Sequence, residues 1–262
     1  MDVGTSMEIQ VLGSSSFIPT IKGSWSSFYI NLGNGDRILI DAGTRRLLGF
    51  RKDALEVSHI FITHRHPDHI LFLGALLRRM KRNNRKNPLT IFCPINALYR
   101  IQGFIRFYNP RGVPDFVDFE TFTPGDPEYL ITLSKSKTEM WAGAACHTTM
   151  AAGYGILQGN KKIVVVPDTK PKCSTLLALA KGARALFHDC TFPTRVHTTA
   201  VSKGHSSPEG AGFDAQKAEV KTLILVHTSR IRALDEQTLI EGAAQYFNGE
   251  ILVASDNSTF KF

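Results

Sequence analysis

The chain has 262 residues, with 31 Lys and Arg against 23 Asp and Glu, a formal charge of +8 and a pI near 9.4. A hydrophobic share of 43% suits a folded chain with a sizeable core and excludes a disordered one, and no apolar run reaches membrane-spanning length. The basic balance favours an anionic substrate such as a phosphodiester or nucleic acid. Met1 to Gln10 has no signal-peptide pattern, so a cytoplasmic location is the expectation. The four cysteines, Cys93, Cys146, Cys173 and Cys190, form no Cys-x-x-Cys pair. A structural zinc ribbon is therefore not expected, and in a reducing compartment all four are free thiols, with Cys146 and Cys190 acting as small buried hydrophobes.

Glu8 to Leu12 reads as a first strand, Gly13-Ser14-Ser15-Ser16 as a turn, and Pro19 and Gly23 punctuate a loop. Ser27–Asn31 and Arg37–Asp41 form a hairpin around Gly33-Asn34-Gly35. This Gly-rich opening lacks the Lys-Ser/Thr and helix of a phosphate loop. The apolar, β-branched run His59 to Thr63 is a buried strand, and Pro67 stops further pairing. Ile70 to Met80 is a helix packed on the sheet, ending in Arg78, Arg79, Lys81, Arg82, Arg85 and Lys86. These cations complement the helix C-terminus and form a solvated face or a polyanion contact.

Leu89–Pro94 is the next strand, Ala97–Phe107 a helix and Thr123–Asp126 a turn. Met140 to Cys146 is a strand running into His147, and Gly153–Ile156 continues after it. Ile163–Val166 is a buried strand that delivers Pro167, Asp168 and Thr169. Leu186 to Thr191 and Lys203 to Ser207 follow; Ser206-Ser207-Pro208-Glu209 is a capping-box pattern opening a helix. Thr222–Val226 delivers His227. There is no short-period repeat, but strand, acid or histidine, then helix recurs in both halves.

Three of the nine histidines, His64, His66 and His69, fall within six positions at one strand end, with Asp68 among them. Imidazole and carboxylate suit zinc, manganese or iron, and a strand followed by a tight loop holds such ligands convergent. The pattern His64-x-His66-x-Asp68-His69 resembles the signature of the metallo-β-lactamase fold superfamily. Preceded by Thr63, it is most similar to the branch containing ribonuclease Z and its phosphodiesterase relatives. Leu12-Gly13 with Pro19 and Ser26-Ser27, His188-Asp189-Cys190-Thr191 and the Gly204-His205 loop resemble the same branch.

That resemblance implies an α/β fold, an αββα sandwich of two mixed β-sheets with helices on the outer faces, formed as one domain over 1–262. It implies two divalent metal ions, Zn2+ first and Mn2+ second. His64, His66 and His147 hold one, Asp68, His69 and His227 the other, and Asp168 bridges. Asp41 is a turn former or, as in the family, an acid that orients a ligating imidazole. His205 is the expected proton donor to the leaving oxygen, oriented by Asp189, and Asp68 also orients the attacking water between the metals. His59, His188 and His197 are structural or exposed.

The chain departs from the branch in three places. Pro167 stands for a glycine, Asp189 for a glutamate, and only Thr148 to Pro167 separates His147 from Asp168. Enzymes that process precursor tRNA usually carry an RNA-gripping arm there. The expectation is therefore a phosphodiesterase for a small cyclic or nucleotide-type phosphodiester, such as a cyclic nucleotide. The alternatives are tRNA 3′ processing at an RNA 3′ end, and lactone or thioester hydrolysis on the same fold. Members of the family are often homodimers.

Overall fold

The computed structural model describes residues 7–17, 23–49, 55–193, 197–229 and 235–262. The first sheet is built from β1 (Glu8–Gly13), β2 (Ser27–Asn31), β3 (Arg37–Ile40), β4 (His59–Phe61), β5 (Leu89–Pro94) and β6 (Val117–Phe122). The second is built from β7 (Glu128–Leu133), β8 (Thr138–Ala145), β9 (Ala151–Gln158), β10 (Lys161–Val166), β11 (Ala185–Asp189), β12 (Thr222–Val226) and β13 (Glu250–Val253). The last strand, β14 (Thr259–Lys261), returns to pair antiparallel with β1. The orders are β14-β1-β2-β3-β4-β5-β6 and β13-β12-β11-β10-β9-β8-β7, two mixed sheets of seven strands among the described residues.

Side-chain alternation builds the layers. Ile9, Val11, Phe28, Ile30, Phe61 and Phe92 point inward from the first sheet and meet Tyr154, Ile156, Val165, Phe187 and Ile224 of the second. Tyr154 has a polar end inside this apolar layer, and its hydroxyl donates to the Ile62 carbonyl at 2.6 Å, tying the sheets together. The outer face of the first sheet is covered by α1 (Pro67–Ile70), α2 (Leu73–Arg82) and α3 (Leu98–Tyr108) through Ile70, Leu73, Leu76, Leu77, Ile101 and Ile105. On the second sheet, α4 (Ser174–Ala180), α6 (Pro208–Lys217) and α7 (Glu236–Ala244) bury Leu176, Leu179, Ala211, Ala215, Leu239 and Ala243; α5 (His197–Ser202) precedes α6. This is the expected αββα sandwich.

Parallel pairing decides where the chemistry collects. β3, β4, β5 and β6 run parallel, as do β10, β11, β12 and β13. Strands covered on both faces read as continuous apolar runs, as Ile163–Val166 and Leu223–Val226 do. Their carboxyl ends therefore emerge at one edge of the sandwich, carrying Asp41 from β3, His64 after β4, Asp168 after β10, Asp189 from β11 and His227 after β12.

Several expectations are corrected. β6 and β7 were not foreseen. They carry many exposed residues, so no apolar run marks them, although Val117-Asp118-Phe119-Glu120 does alternate. The helix expected at Ile70–Met80 is two helices, and Pro67 opens the first of them instead of only ending a strand. Proline suits the first helical turn because its missing N–H has no partner there anyway. Asp68 and His69 thus ride on a helical turn.

Ser207, not Ser206, caps α6, accepting from Gly210 N at 3.4 Å, and Glu209 lies in the first turn. Half of the basic run is held by internal carbonyls, while Arg78, Lys81, Arg82 and Lys86 stay exposed as the solvated face expected. Arg78 donates to the Tyr108 carbonyl, Arg79 to that of Leu47, and Arg85 to those of Leu55, Val57, Asn87 and Pro88. Only Cys93 and Cys190 are free thiols among the described residues; Cys146 and Cys173 are disulfide-bonded, because the end of β8 and the start of α4 bring their Cα atoms to 5.6 Å. Pro19 lies outside the described residues.

Candidate metal centre

The first ligand group hangs from the ends of β3 and β4. Asp41 closes β3 at φ +60°, a left-handed conformation that aspartate tolerates better than most residues. This turns its fully buried carboxylate under the histidine cluster. Oδ1 accepts from Thr63 N (2.9 Å), Thr63 Oγ1 lies 3.0 Å from both oxygens, and Oδ2 lies 2.6 Å from His69 Nδ1. Held this way, His69 presents Nε2 to the interior of the site. Gly43 lets the backbone of β3 pass against α1, since a Cβ there would collide with the Asp68 carbonyl oxygen.

The second group arrives from the other sheet. His147 Nδ1 donates to the Gly204 carbonyl at 2.7 Å, which leaves Nε2 facing His66 Nδ1 at 3.1 Å. Gly204 sits at φ +74°, and a side chain there would press on the His147 ring. His227, itself at φ +58°, lies with Nδ1 2.8 Å from Thr191 Oγ1 and Nε2 3.4 Å from Asp68 Oδ2. Asp168 lies between the groups: Oδ2 is 3.6 Å from both His64 Nε2 and His147 Nε2, and Oδ1 is 3.3 Å from both His69 Nε2 and His227 Nε2.

Three sets of ligand atoms thus converge, each within 4.8 Å: His64, His66, His147 and Asp168; Asp68, His69 and His227; and Asp168, Asp189, His205 and His227. All seven residues predicted as ligands come together, and Asp168 and His227 also stand in a set with Asp189 and His205. Whether this pocket suits cations is answered by its unpaired atoms. Asp68 Oδ1, Asp168 Oδ1 and His69 Nε2 are buried without a hydrogen-bond partner, an arrangement that is costly unless an ion supplies the missing partner. Imidazole and carboxylate donors with their far sides held by Asp41, Thr191 and Gly204 fit divalent cations.

Electrostatics agree with that donor chemistry. Burial, then the neighbouring imidazoles, push His64 well below its ordinary value, and burial with His147 holds His66 at about 4; both rings are neutral, lone-pair donors. Burial works against ionised Asp68 and Asp168, yet the surrounding histidines hold both carboxyls below the usual range. His69 is opposite: burial disfavours its charge, but Asp168, Asp41 and Asp68 raise it well above normal.

Next to the cage, His205 Nδ1 lies 2.7 Å from Asp189 Oδ2. Burial disfavours its charge, and Asp189 overcomes this and raises it to about 9. Asp189 is fixed by Thr169 N (3.1 Å), Thr191 N (2.9 Å) and Thr191 Oγ1 (2.7 Å). Its shorter arm, relative to the family's glutamate, still reaches His205. Thr63, Thr191 and the Gly204 carbonyl were not singled out from sequence. The only available signal was adjacency, Thr63 before the histidines and Thr191 closing the His188–Thr191 motif. His188 is structural: it is fully buried, with Nε2 3.2 Å from Asp214 Oδ2. His59 is half-buried; the side chain of His197 lies outside the described residues.

The cage and its neighbours line a cleft of about 620 Å3. The signature of the beta-lactamase superfamily domain matches residues 36–228, which spans every one of these side chains. The chain belongs to the beta-lactamase superfamily. Within it, the chain is 26% identical over 304 aligned residues to a ribonuclease Z of Halorubrum lacusprofundi, covering 96% of both chains. Among solved structures, it is similar to the metallo-β-lactamase fold protein YhfI of Bacillus subtilis (20% identity, TM-score 0.79, 98% of this chain and 100% of that one). The short form of human tRNase Z is comparable (20% identity, TM-score 0.78, 97% and 98%). As a member of this superfamily the chain is a metal-dependent hydrolase of the ribonuclease Z-like branch, and its histidine and aspartate clusters fit divalent-metal binding. Among the described residues, no helix is long and apolar enough to cross a membrane.

Proposed function

We propose that the chain is a single catalytic unit, a binuclear metal phosphodiesterase that hydrolyses a small cyclic or nucleotide-type phosphodiester. His64, His66 and His147, Asp68, His69 and His227, and Asp168 would hold two divalent cations, zinc first and manganese second, which when bound would supply charge neutralisation for the phosphate and acidify a water enough to ionise near neutral pH. The protein's own groups do the rest. Asp68 has one oxygen, Oδ1, left to orient the attacking water. His205, charged and held through Nδ1, gives its Nε2 proton to the departing alkoxide, and Asp189 keeps that tautomer.

The observation that carries the small-substrate reading is the connection from His147 to Asp168. It consists of β9, the two-residue link Gly159-Asn160 and β10, a complete hairpin with no room for an RNA-gripping arm. The alignment with the Halorubrum protein runs over 304 residues although 96% of this chain is about 252, so roughly fifty positions belong to that relative alone. The second reading, endonucleolytic processing at a tRNA 3′ end, is favoured by the names of such relatives. Incubation with zinc or manganese and either a cyclic nucleotide or a precursor tRNA separates them. Preferential opening of the cyclic phosphodiester is expected; efficient cleavage of the precursor with no turnover of the cyclic nucleotide reverses the assignment.

Such an enzyme belongs in the cytoplasm. A Cys146–Cys173 bond that persists in freshly lysed, thiol-trapped cells argues instead for an oxidising compartment. The proposed homodimer has its support in α3, where Tyr99 (86% exposed) and Phe107 (78% exposed) stand on one face. Light scattering on the protein and on Phe107→Glu tests it, a monomer in both cases removing the dimer.

A further inference from the structure

The cleft holds more than the metal cage, and its outer parts bear on which phosphodiester enters. On one lip is Phe17, 59% exposed. An exposed phenyl ring on a loop would normally be mobile, but this backbone is anchored from several directions. Trp25 Nε1 donates to the Phe17 carbonyl at 2.9 Å, Ser16 N donates to the Thr228 carbonyl at 3.3 Å, and Ser15 bridges both Trp25 and Thr228. Thr228 directly follows His227, so the backbone that carries the ring is held in register with the cage. Phe192 differs: it also lines the cleft, yet it is buried and packed 6.0 Å from the His205 ring. Of the two phenyl rings that line the cleft among the described residues, Phe17 is thus the one open to a ligand.

Lys203, from the turn that ends α5, faces the same cleft, is exposed and forms no ion pair among the described residues. An open ring, a spare cation and a phosphate-binding cage along one cleft match the parts of a nucleotide. A sugar or alkyl group offers the ring only C–H contacts, whereas a base offers a flat π face of matching size. We infer that Phe17 is a stacking platform for a nucleobase, so that the substrate class of this site is a base-bearing phosphodiester; the inference rests on the phosphodiesterase reading above.

Stacking of a base on an aromatic side chain contributes about 1–3 kcal/mol, which is roughly a 5- to 150-fold effect on kcat/KM. The test uses the metal-loaded protein and two substrates with one leaving group, thymidine 5′-(p-nitrophenyl phosphate) and methyl p-nitrophenyl phosphate. Phe17→Ala should lower the ratio of kcat/KM for the nucleotide ester over the methyl ester by about tenfold, and Phe17→Trp should restore it. Turnover of both esters with that ratio unchanged in Phe17→Ala, or an equal loss on both, overturns this inference alone. Absence of turnover of either ester by the unsubstituted protein overturns the phosphodiesterase reading and this inference together.

Discussion

Asp41→Asn is the most informative single substitution in the molecule. It keeps size and backbone, because asparagine also accepts the φ of +60° at this position. It changes only charge and donor pattern. The native carboxylate faces His69 Nδ1 at 2.6 Å, Thr63 N at 2.9 Å, Thr63 Oγ1 at 3.0 Å and Ser26 Oγ at 3.2 Å, all inside the fold. Thr63 N can only donate and His69 Nδ1 faces a carboxylate, so an amide NH2 turned to either meets a donor or gives up the charge, and only the rotatable hydroxyls of Thr63 and Ser26 could accept from it.

Two charge-assisted bonds lost at about 1.5–3 kcal/mol each put the cost at roughly 3–6 kcal/mol, overlapping the about 3–5 kcal/mol typical of breaking one side of a buried pair. His69 also loses the partner that fixes its ring, which typically lowers metal affinity about 10- to 100-fold. Chelator competition against the loaded protein measures the second effect and chemical denaturation the first. An Asp41→Asn protein that binds two cations with native affinity and unfolds at the native denaturant concentration would refute the argument that this carboxylate organises the cage.

The other predictions concern the cage, the dyad and the crosslink. Asp168→Ala or His66→Ala should lose metal and activity together, as seen by elemental analysis beside turnover; activity in a metal-depleted variant would remove the cage from the chemistry. His205→Ala should retain both cations while turnover falls about 10^2- to 10^4-fold, and a full-rate variant removes it as the proton donor. Asp189 raises His205 to about 9 in the metal-free protein, so its acid form holds below that pH, and turnover should fall as pH rises and His205 loses its proton. Bound cations bring this limb towards neutrality and Asp189→Asn should bring it lower still; an unmoved limb contradicts the pairing. The same raised value stabilises the fold fully below about pH 6.5, a contribution lost as pH climbs to about 9. Reducing the Cys146–Cys173 bond, which joins residues 27 apart, should cost about 3–4 kcal/mol by loop entropy, or roughly 10 °C in Tm. Metal should be retained, since Gly204 still holds His147; an unchanged Tm under a phosphine reductant would contradict the crosslink.

The residues themselves determined which donors this protein would use. His64, His66, Asp68 and His69 stand close together in the chain, so their ligand pattern is legible without coordinates, and the apolar runs before Asp168 and His227 mark strands whose ends must carry those side chains outward. Where the seven would meet came only as an implication of the family resemblance. That two strand ends from different sheets face each other depends on parallel pairing and on sheet-to-sheet packing, which bring His147 to His66 across 81 positions of sequence. Thr191, Gly204 and Phe17 owe their roles entirely to tertiary structure. A hydroxyl, a carbonyl and a phenyl ring carry no signature of their own; they acquire meaning when folding sets them against His227, His147 and the mouth of the cleft. The disulfide belongs to the same class, because no spacing in the chain announces that Cys146 and Cys173 end up on adjoining turns.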